Sequence, residues 1–249
     1  MSHFEIVAHR GIPKEVPENT LLAYQLAIDL GADAVEMDVR LTADRVPVIY
    51  HYFYLEEMTP LVGPIFKYTA EELMQVRVAN KARPGITEPI PTLREVMESI
   101  GGKIGLEIEL KGPERECADI VAGVLQDYQQ FWDMIEVTSY EPALLLGIHE
   151  FCPGLATDLL YPRSEPWMKP DVIAYQAFHR TRLARARAVH LHPTQLTADV
   201  ISFIRSYGIE IHAWDVNNEE SLQTSEQYKI PRLCTDQFQL AFDFRNKIS

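Results

Sequence analysis

Cysteine is scarce in this chain. Only Cys117, Cys152 and Cys234 occur, far apart and without CxxC spacing. Such a set offers neither a disulfide framework nor a thiolate metal cluster, and reads as buried free thiols in a reducing compartment. Positive charge is also short. The 23 Lys and Arg against 36 Asp and Glu leave a formal charge of −13. Nonspecific nucleic-acid binding needs clustered cations, as does docking on an anionic membrane surface, so neither is expected. A small anionic substrate stays open, because a few local cations outweigh a diffuse negative surface. No apolar run approaches the roughly 18 residues of a spanning helix. The first residues, MSHFEIVAHRG, lack a basic stretch leading into a long apolar one. The expectation is a cytoplasmic protein with no stable membrane insertion. Neither GxGxxG nor GxxxxGK with a following Ser or Thr succeeds any strand-like segment, so the usual nucleotide phosphate loops are missing.

What is present is a sizeable apolar fraction in a regular order. With 47% hydrophobic residues over 249 positions, the chain can bury a large core. Short apolar runs alternate with helical patterns. Strands are predicted at 4–8, 34–39, 46–50, 104–110, 135–138, 155–160, 188–191, 209–216 and 232–235. A further short strand is expected at Val172–Ala174, with a helix after His179. Helices are predicted at 93–100, 114–128, 142–151, 197–207 and 219–228, in a stretch beginning near Leu22 and in the tail. The first is capped by Asn19 or Thr20 and ended by Gly31. The stretch from about 52 to 92 is irregular, holds Pro60, Pro64, Pro84, Pro89 and Pro91, and is expected to carry one helical piece at 70–76. It is too short for a core of its own. Repeated βα units imply parallel strands with helical crossovers. At this length a (β/α)8 barrel fits, with 46–50 and 172–174 as the strands in excess of eight. An open doubly wound sheet is the competing architecture.

In such a barrel the C-terminal ends of the strands share one face and build the site. The polar residues there are His9-Arg10-Gly11, the pair Glu36 and Asp38, His51, the run Glu107 to Lys111, and Trp214-Asp215. Glu36 and Asp38, two apart in a strand, share one face, and Glu107 and Glu109 repeat the spacing. Buried paired carboxylates need neutralising. A hard divalent cation with oxygen ligands does this; a structural Arg/Lys network does it equally well on spacing alone. No HxxxH or Cys/His cluster points to zinc. His9 and His51 each end an apolar run, where they are either an acid/base pair or two unrelated histidines. Arg10 and Lys111 suit a phosphate, or else the neighbouring carboxylates.

The ordered series HRG (9–11), PENT (17–20), GADAVEMDV (31–39), VIYH (48–51), PTL (91–93), EIELK (107–111), TSY (138–140), WDVN (214–217) and TD (235–236) resembles the glycerophosphodiester phosphodiesterase family over nearly the whole chain. The resemblance implies one TIM-barrel phosphodiesterase domain over 1–249, with a small insertion after the second strand at about 52–92. It implies one divalent cation, Mg²⁺ or Ca²⁺, on Glu36, Asp38 and Glu109, and His9 and His51 as the acid/base pair. It implies that Arg10 and Lys111 contact phosphate and that Trp214 lies by the apolar side of a small-molecule phosphodiester. Hydrolysis to glycerol 3-phosphate and an alcohol would follow. A lysophospholipase D-type activity, with Phe53, Tyr54, Leu55 and Phe66 along an apolar channel, and a non-catalytic phosphodiester binder are the alternatives. The chain departs from the family at Tyr52, where an Asp is usual, at the glycine-free turn Ala43-Asp44-Arg45, at Asp215 and after Asp236.

Overall fold

The computed structural model describes residues 4–80, 83–112 and 114–248. The strands are β1 (Glu5–Ala8), β2 (Ala34–Leu41), β3 (Pro47–Ile49), β4 (Arg77–Ala79), β5 (Thr87–Pro89), β6 (Gly105–Leu110), β7 (Ile135–Ser139), β8 (Ala156–Leu160), β9 (Ala188–Leu191), β10 (Glu210–Ala213) and β11 (Arg232–Thr235). The helices are α1 (Leu21–Asp29), α2 (Ala70–Met74), α3 (Leu93–Ile100), α4 (Glu116–Gln126), α5 (Pro142–Phe151), α6 (Pro170–Ala184), α7 (Ala198–Ser206), α8 (Glu219–Gln227) and α9 (Phe238–Ile248). Strands β1, β2, β6, β7, β8, β9, β10 and β11 pair in that cyclic order, all parallel, and β1 closes on both β2 and β11. The result is a closed eight-stranded parallel barrel with helices between its strands.

Alternation along the strands sorts two kinds of side chain. Val35, Met37 and Val39 on β2, and Leu106, Ile108 and Leu110 on β6, join the large apolar core formed with the helices. Ile135, Val137, Val189, Leu191, Ile211 and Leu233 join it too. The intervening residues, Glu36, Asp38, Glu107, Glu109, Glu136, Asp158, His190 and His212, are all buried on the other face of the sheet. The lumen is therefore ionisable, whereas barrel interiors of this kind are usually filled by branched aliphatics. Helix starts are fixed by side chains. Thr20 accepts the Ala23 N–H at 3.2 Å, and Thr92 and Glu95 form a reciprocal capping box on α3. Gly31, at φ +83°, ends α1.

The expectations for 172–174 and for the 52–92 stretch need revision, while that of an excess strand at 46–50 is met. Residues 172–174 are not a strand but part of α6, which starts at Pro170 and buries Ile173, Ala174, Ala177, Thr181 and Ala184 at helical spacing. The β-branched pair Val172-Ile173 misled because the tertiary packing decides. The segment 46–50 does yield an extra strand, β3, but it runs antiparallel on β2. The hairpin β4–β5 was not anticipated, because three-residue strands carry too little alternation. The irregular stretch also holds more than one helical turn. Leu55, Met58, Ile65, Leu73, Val78 and Ile90 form a separate small core, seated on Val48 and Tyr50 at the β3 end. Leu55 is thus packed inside, while Phe53, Tyr54 and Phe66 are exposed.

Helices α4 and α5 approach closely at Gly147, where an added Cβ would lie 2.6 Å from the Ala118 Cβ. In an exposed helix Gly→Ala gains roughly 0.5–1 kcal/mol. Here Gly147→Ala is expected to destabilise by about 1–3 kcal/mol through overpacking. A raised thermal midpoint for the variant would show this contact to be slack.

Candidate active site

The site begins where β1 ends. Arg10 and Gly11 both take left-handed backbone, φ 55° and 84°. A Cβ on Gly11 would sit 2.6 Å from the Ala23 Cβ, so only glycine fits that turn. The turn aims the Arg10 N–H at Glu36 Oε2, 3.1 Å away. The Arg10 side chain reaches Asp38 Oδ2 with Nε at 3.1 Å and Glu18 Oε1 with Nη1 at 3.0 Å. Across the barrel mouth, Lys111 Nζ lies 3.0 Å from Asp38 Oδ1 and 2.7 Å from Glu109 Oε2. β2 and β6 pair in register, Asp38 opposite Glu109, and that register brings the three carboxylates together. One oxygen each of Glu36, Asp38 and Glu109 lies within 4.8 Å of the others.

These acids differ in proton affinity. Burial, and then the neighbouring Asp38, push Glu36 up to about 8. Burial would raise Asp38 as well, but Lys111 and Arg10 hold it well below the usual carboxylate range. Burial raises Glu109, with Lys111 opposing. Oε1 of Glu36 is buried without a hydrogen-bond partner. A buried oxygen left unpaired among three converging carboxylates is what an oxygen-ligated divalent cation would satisfy. The residues present fit such an ion.

His9 and His51 sit on opposite electrostatic footings. His9 Nδ1 is 2.6 Å from Asp236 Oδ1, and its Nε2 is 3.8 Å from Glu36 Oε2. Burial opposes the charge on His9, but Asp236 and Glu36 outweigh it and raise its pKa. Asp236 is held in turn, its N–H donating to Asn217 Oδ1 at 2.8 Å and its Oδ2 accepting from Asn217 Nδ2 at 3.2 Å. His51 follows β3, which β2 carries to the same mouth. Burial depresses its pKa to about 3; Asp38 opposes this, and Arg10 and Lys111 reinforce it. Its backbone carbonyl accepts from Arg40 Nε at 2.9 Å. The Tyr52 ring meets the His51 ring edge-on at 4.7 Å, so position 52 touches the imidazole rather than pointing away.

His9, Arg10, Glu36, Asp38, His51, Glu109 and Lys111 thus form one electrostatic cluster. Trp214 stands beside it. Its ring meets Tyr140 edge-on at 6.3 Å, and partial burial, then Glu109, push the Tyr140 phenol up. Of the two readings of Arg10 and Lys111, the structure shows the neutralisation of carboxylates, since each is paired with buried acids. Glu107 lies deeper, with Arg232 Nε 3.9 Å away, and that same Nε is 2.8 Å from Glu136 Oε1. Several residues were quoted in motifs without a role. Asn19, also left-handed at φ 57°, donates from Nδ2 to Asp38 Oδ2 at 2.7 Å and accepts the Asp38 N–H at 3.2 Å. Glu18 and Asp236 complete the set. Their signal was position inside the PENT and TD runs.

The family model for the glycerophosphoryl diester phosphodiesterase family matches residues 9–240. The chain belongs to that family. A Bacillus subtilis (strain 168) protein named as a candidate glycerophosphodiester phosphodiesterase is 31% identical over 93% of each chain. A glycerophosphodiester phosphodiesterase of Caldanaerobacter subterraneus subsp. tengcongensis is 29% identical, again over 93% of each. Among solved structures, an Oleispira antarctica phosphodiesterase in complex with the product sn-glycerol-3-phosphate superimposes with a TM-score of 0.83 at 28% identity, covering 97% of both chains. Within the family pattern, the glycine-free turn after β2 is accommodated because Arg45 itself takes φ 64°. Asp215, in place of the usual threonine, takes left-handed backbone at φ 61°, which Asp tolerates better than a β-branched residue, and lies 3.4 Å from His192 Nε2.

Tyr52→Asp would set a carboxylate against a ring whose pKa is pushed down to about 3. A nearby anion favours the imidazolium, so the His51 pKa should rise. Histidine-resolved NMR titration of the folded variant checks this. An unmoved His51 pKa would mean that residue 52 acts on the imidazole by packing alone.

Proposed function

We propose that this chain hydrolyses glycerophosphodiesters to glycerol 3-phosphate and an alcohol, using one divalent cation, Mg²⁺ or Ca²⁺, and two histidines. One observation carries the reading. Three buried carboxylates, two cations and two histidines with opposed proton affinities converge at one barrel mouth. Glu36, Asp38 and Glu109 would hold the cation, which when bound supplies positive charge to a phosphate oxygen.

The chain's own groups do the rest. Lys111 Nζ donates to Glu109 Oε2 and is ion-paired with Asp38, which leaves N–H bonds for a non-bridging phosphate oxygen. The Arg10 guanidinium, with Nε and Nη1 facing Asp38 and Glu18, offers the N–H bonds of Nη2 to the same phosphate. His51 is held neutral and removes the proton from the nucleophile, either water or the substrate's own 2-hydroxyl, in which second case water then opens the cyclic phosphate. His9 is held protonated by Asp236 and delivers its proton to the departing alcohol oxygen. Two titratable groups pushed apart in this way separate base from acid. Trp214 and Tyr140 border the apolar side of the substrate.

His9→Ala and His51→Ala should each lower kcat by roughly 10²–10⁴, the span usual for a general acid or base, with much smaller effects on substrate binding. Near-normal turnover in either variant makes that histidine a bystander. Assays of glycerophosphocholine and a lysophospholipid, each with Mg²⁺, Ca²⁺ or chelator, test the substrate and the metal together. Full activity in chelator contradicts the cation. Preference for the lysophospholipid moves the substrate class, and no turnover of either leaves a binder. The pH profile adds a sign. A general acid must be protonated, so activity falls as pH rises through the His9 pKa. Asp236→Asn removes the anion that raises it, and the upper limb should move to lower pH. A limb that stays in place separates His9 from that limb.

A further inference from the structure

Deeper in the barrel lies a second cluster with different donors. Glu136, Asp158, His190 and His212 come from β7, β8, β9 and β10, four consecutive strands of the ring. All four are buried, and each offers one ligand atom within 4.8 Å of the others. The spacing is informative. His190 Nε2 and His212 Nδ1 are 3.0 Å apart, and Asp158 Oδ2 is 3.3 Å from the first and 3.4 Å from the second. A tetrahedral zinc ion with bonds of about 2.0–2.1 Å has ligand–ligand edges of about 3.3–3.4 Å. The second ring nitrogens also face carboxylates. His190 Nδ1 is 3.5 Å from Glu107 Oε1, and His212 Nε2 is 3.6 Å from Glu210 Oε2. His190 Nδ1 is buried with no hydrogen-bond partner, so a small ring movement would supply one. A carboxylate behind each histidine is the usual second support of a metal-bound imidazole.

We infer that Glu136, Asp158, His190 and His212 form a binding site for a tetrahedral transition-metal ion, Zn²⁺ in particular, which staples four adjacent strands of the barrel. Two imidazoles and two carboxylates suit Zn²⁺ and disfavour Mg²⁺ or Ca²⁺. The ion's charge balances the two carboxylates. A cavity of about 630 Å³ at the N-terminal mouth, bordered by Glu136, Arg187, His212 and Arg232, gives access from solvent. Two guanidinium groups now face these carboxylates: Arg232, whose Nε lies 2.8 Å from Glu136 Oε1, and Arg187, whose Nη2 lies 2.8 Å from Glu136 Oε2 and 2.9 Å from Asp158 Oδ2. Its side chain is 47% exposed and can withdraw into the cavity when the ion binds. Arg187 and the ion are thus competitors for the same oxygens. The N-terminal end of such a barrel serves stability rather than turnover, so the ion stabilises the fold by binding the native state alone.

Co²⁺ is the probe, titrated into the full-length Asp38→Asn protein so that the upper carboxylate site does not contribute. One equivalent should enter with the intense visible d–d bands of a tetrahedral ion, raise the thermal midpoint, and be displaced by Zn²⁺. His212→Gln in the same background should weaken binding by about 100-fold or more, whereas Arg187→Ala should tighten it. Weak six-coordinate bands, or no uptake at all, in the folded Asp38→Asn protein overturn the inference without recourse to any further variant. Weaker binding in Arg187→Ala would overturn the competition between the guanidinium and the ion.

Discussion

Asp38 is the anchor of this molecule's chemistry. Its carboxylate is fully buried, and it lies between Lys111 and Arg10 at 3.0 and 3.1 Å, with Asn19 donating at 2.7 Å. A buried carboxylate costs several kcal/mol unless it is paired and hydrogen-bonded, and here three segments at the barrel mouth contribute to that pairing. The β1 turn brings Arg10, the loop before α1 brings Asn19, and β6 brings Lys111. Because these cations hold Asp38 ionised, the neighbouring Glu36 carries the burden of crowded negative charge. That imbalance is what a divalent ion would relieve. Burial, reinforced by the same two cations, keeps a proton off His51, while Asp236 and Glu36 keep one on His9 against the opposition of burial and Arg10.

The fold makes this arrangement available through strand alternation. Every second residue of β2, β6 and β7 goes to the helix side and builds an apolar core. The residues between them are free to be ionisable because that core supplies the burial on folding. Two charged layers result. The upper holds Glu36, Asp38, Glu109, Arg10 and Lys111, and the lower holds Glu107, Glu136, Asp158, His190 and His212 with Arg187 and Arg232. Replacing the aliphatic filling of a barrel with two such layers makes internal charge balance a condition of folding as well as of catalysis.

The barrel was legible in the sequence because its strands are short apolar runs with clear helical intervals, and because Glu36 and Asp38 keep the period of two. Glu36, Asp38, Glu109, Arg10, Lys111, His9 and His51 were nameable from their places at strand ends. What sequence did not reveal were contacts made across long separations. Asp236 meets His9 from 227 positions away, and Asn19 meets Asp38 through a left-handed turn. The lower layer was invisible for the same reason. Apart from Glu107, noted for its spacing to Glu109, its acids and histidines come one each from β7 to β10, so no local pattern joins Asp158 to His190. The strand assigned to 172–174 failed where β-branched residues sat on a helix face.

Three converging carboxylates, with Asp38 as the indispensable ligand, should take up one hard cation. Calorimetric titration of Ca²⁺ into the wild-type protein and Asp38→Asn addresses this directly. The wild type should bind one equivalent, and the variant, folded by circular dichroism, should lose at least about tenfold in affinity, or 1.4 kcal/mol. Equal Ca²⁺ binding by the two proteins, or none by the wild type, would contradict it.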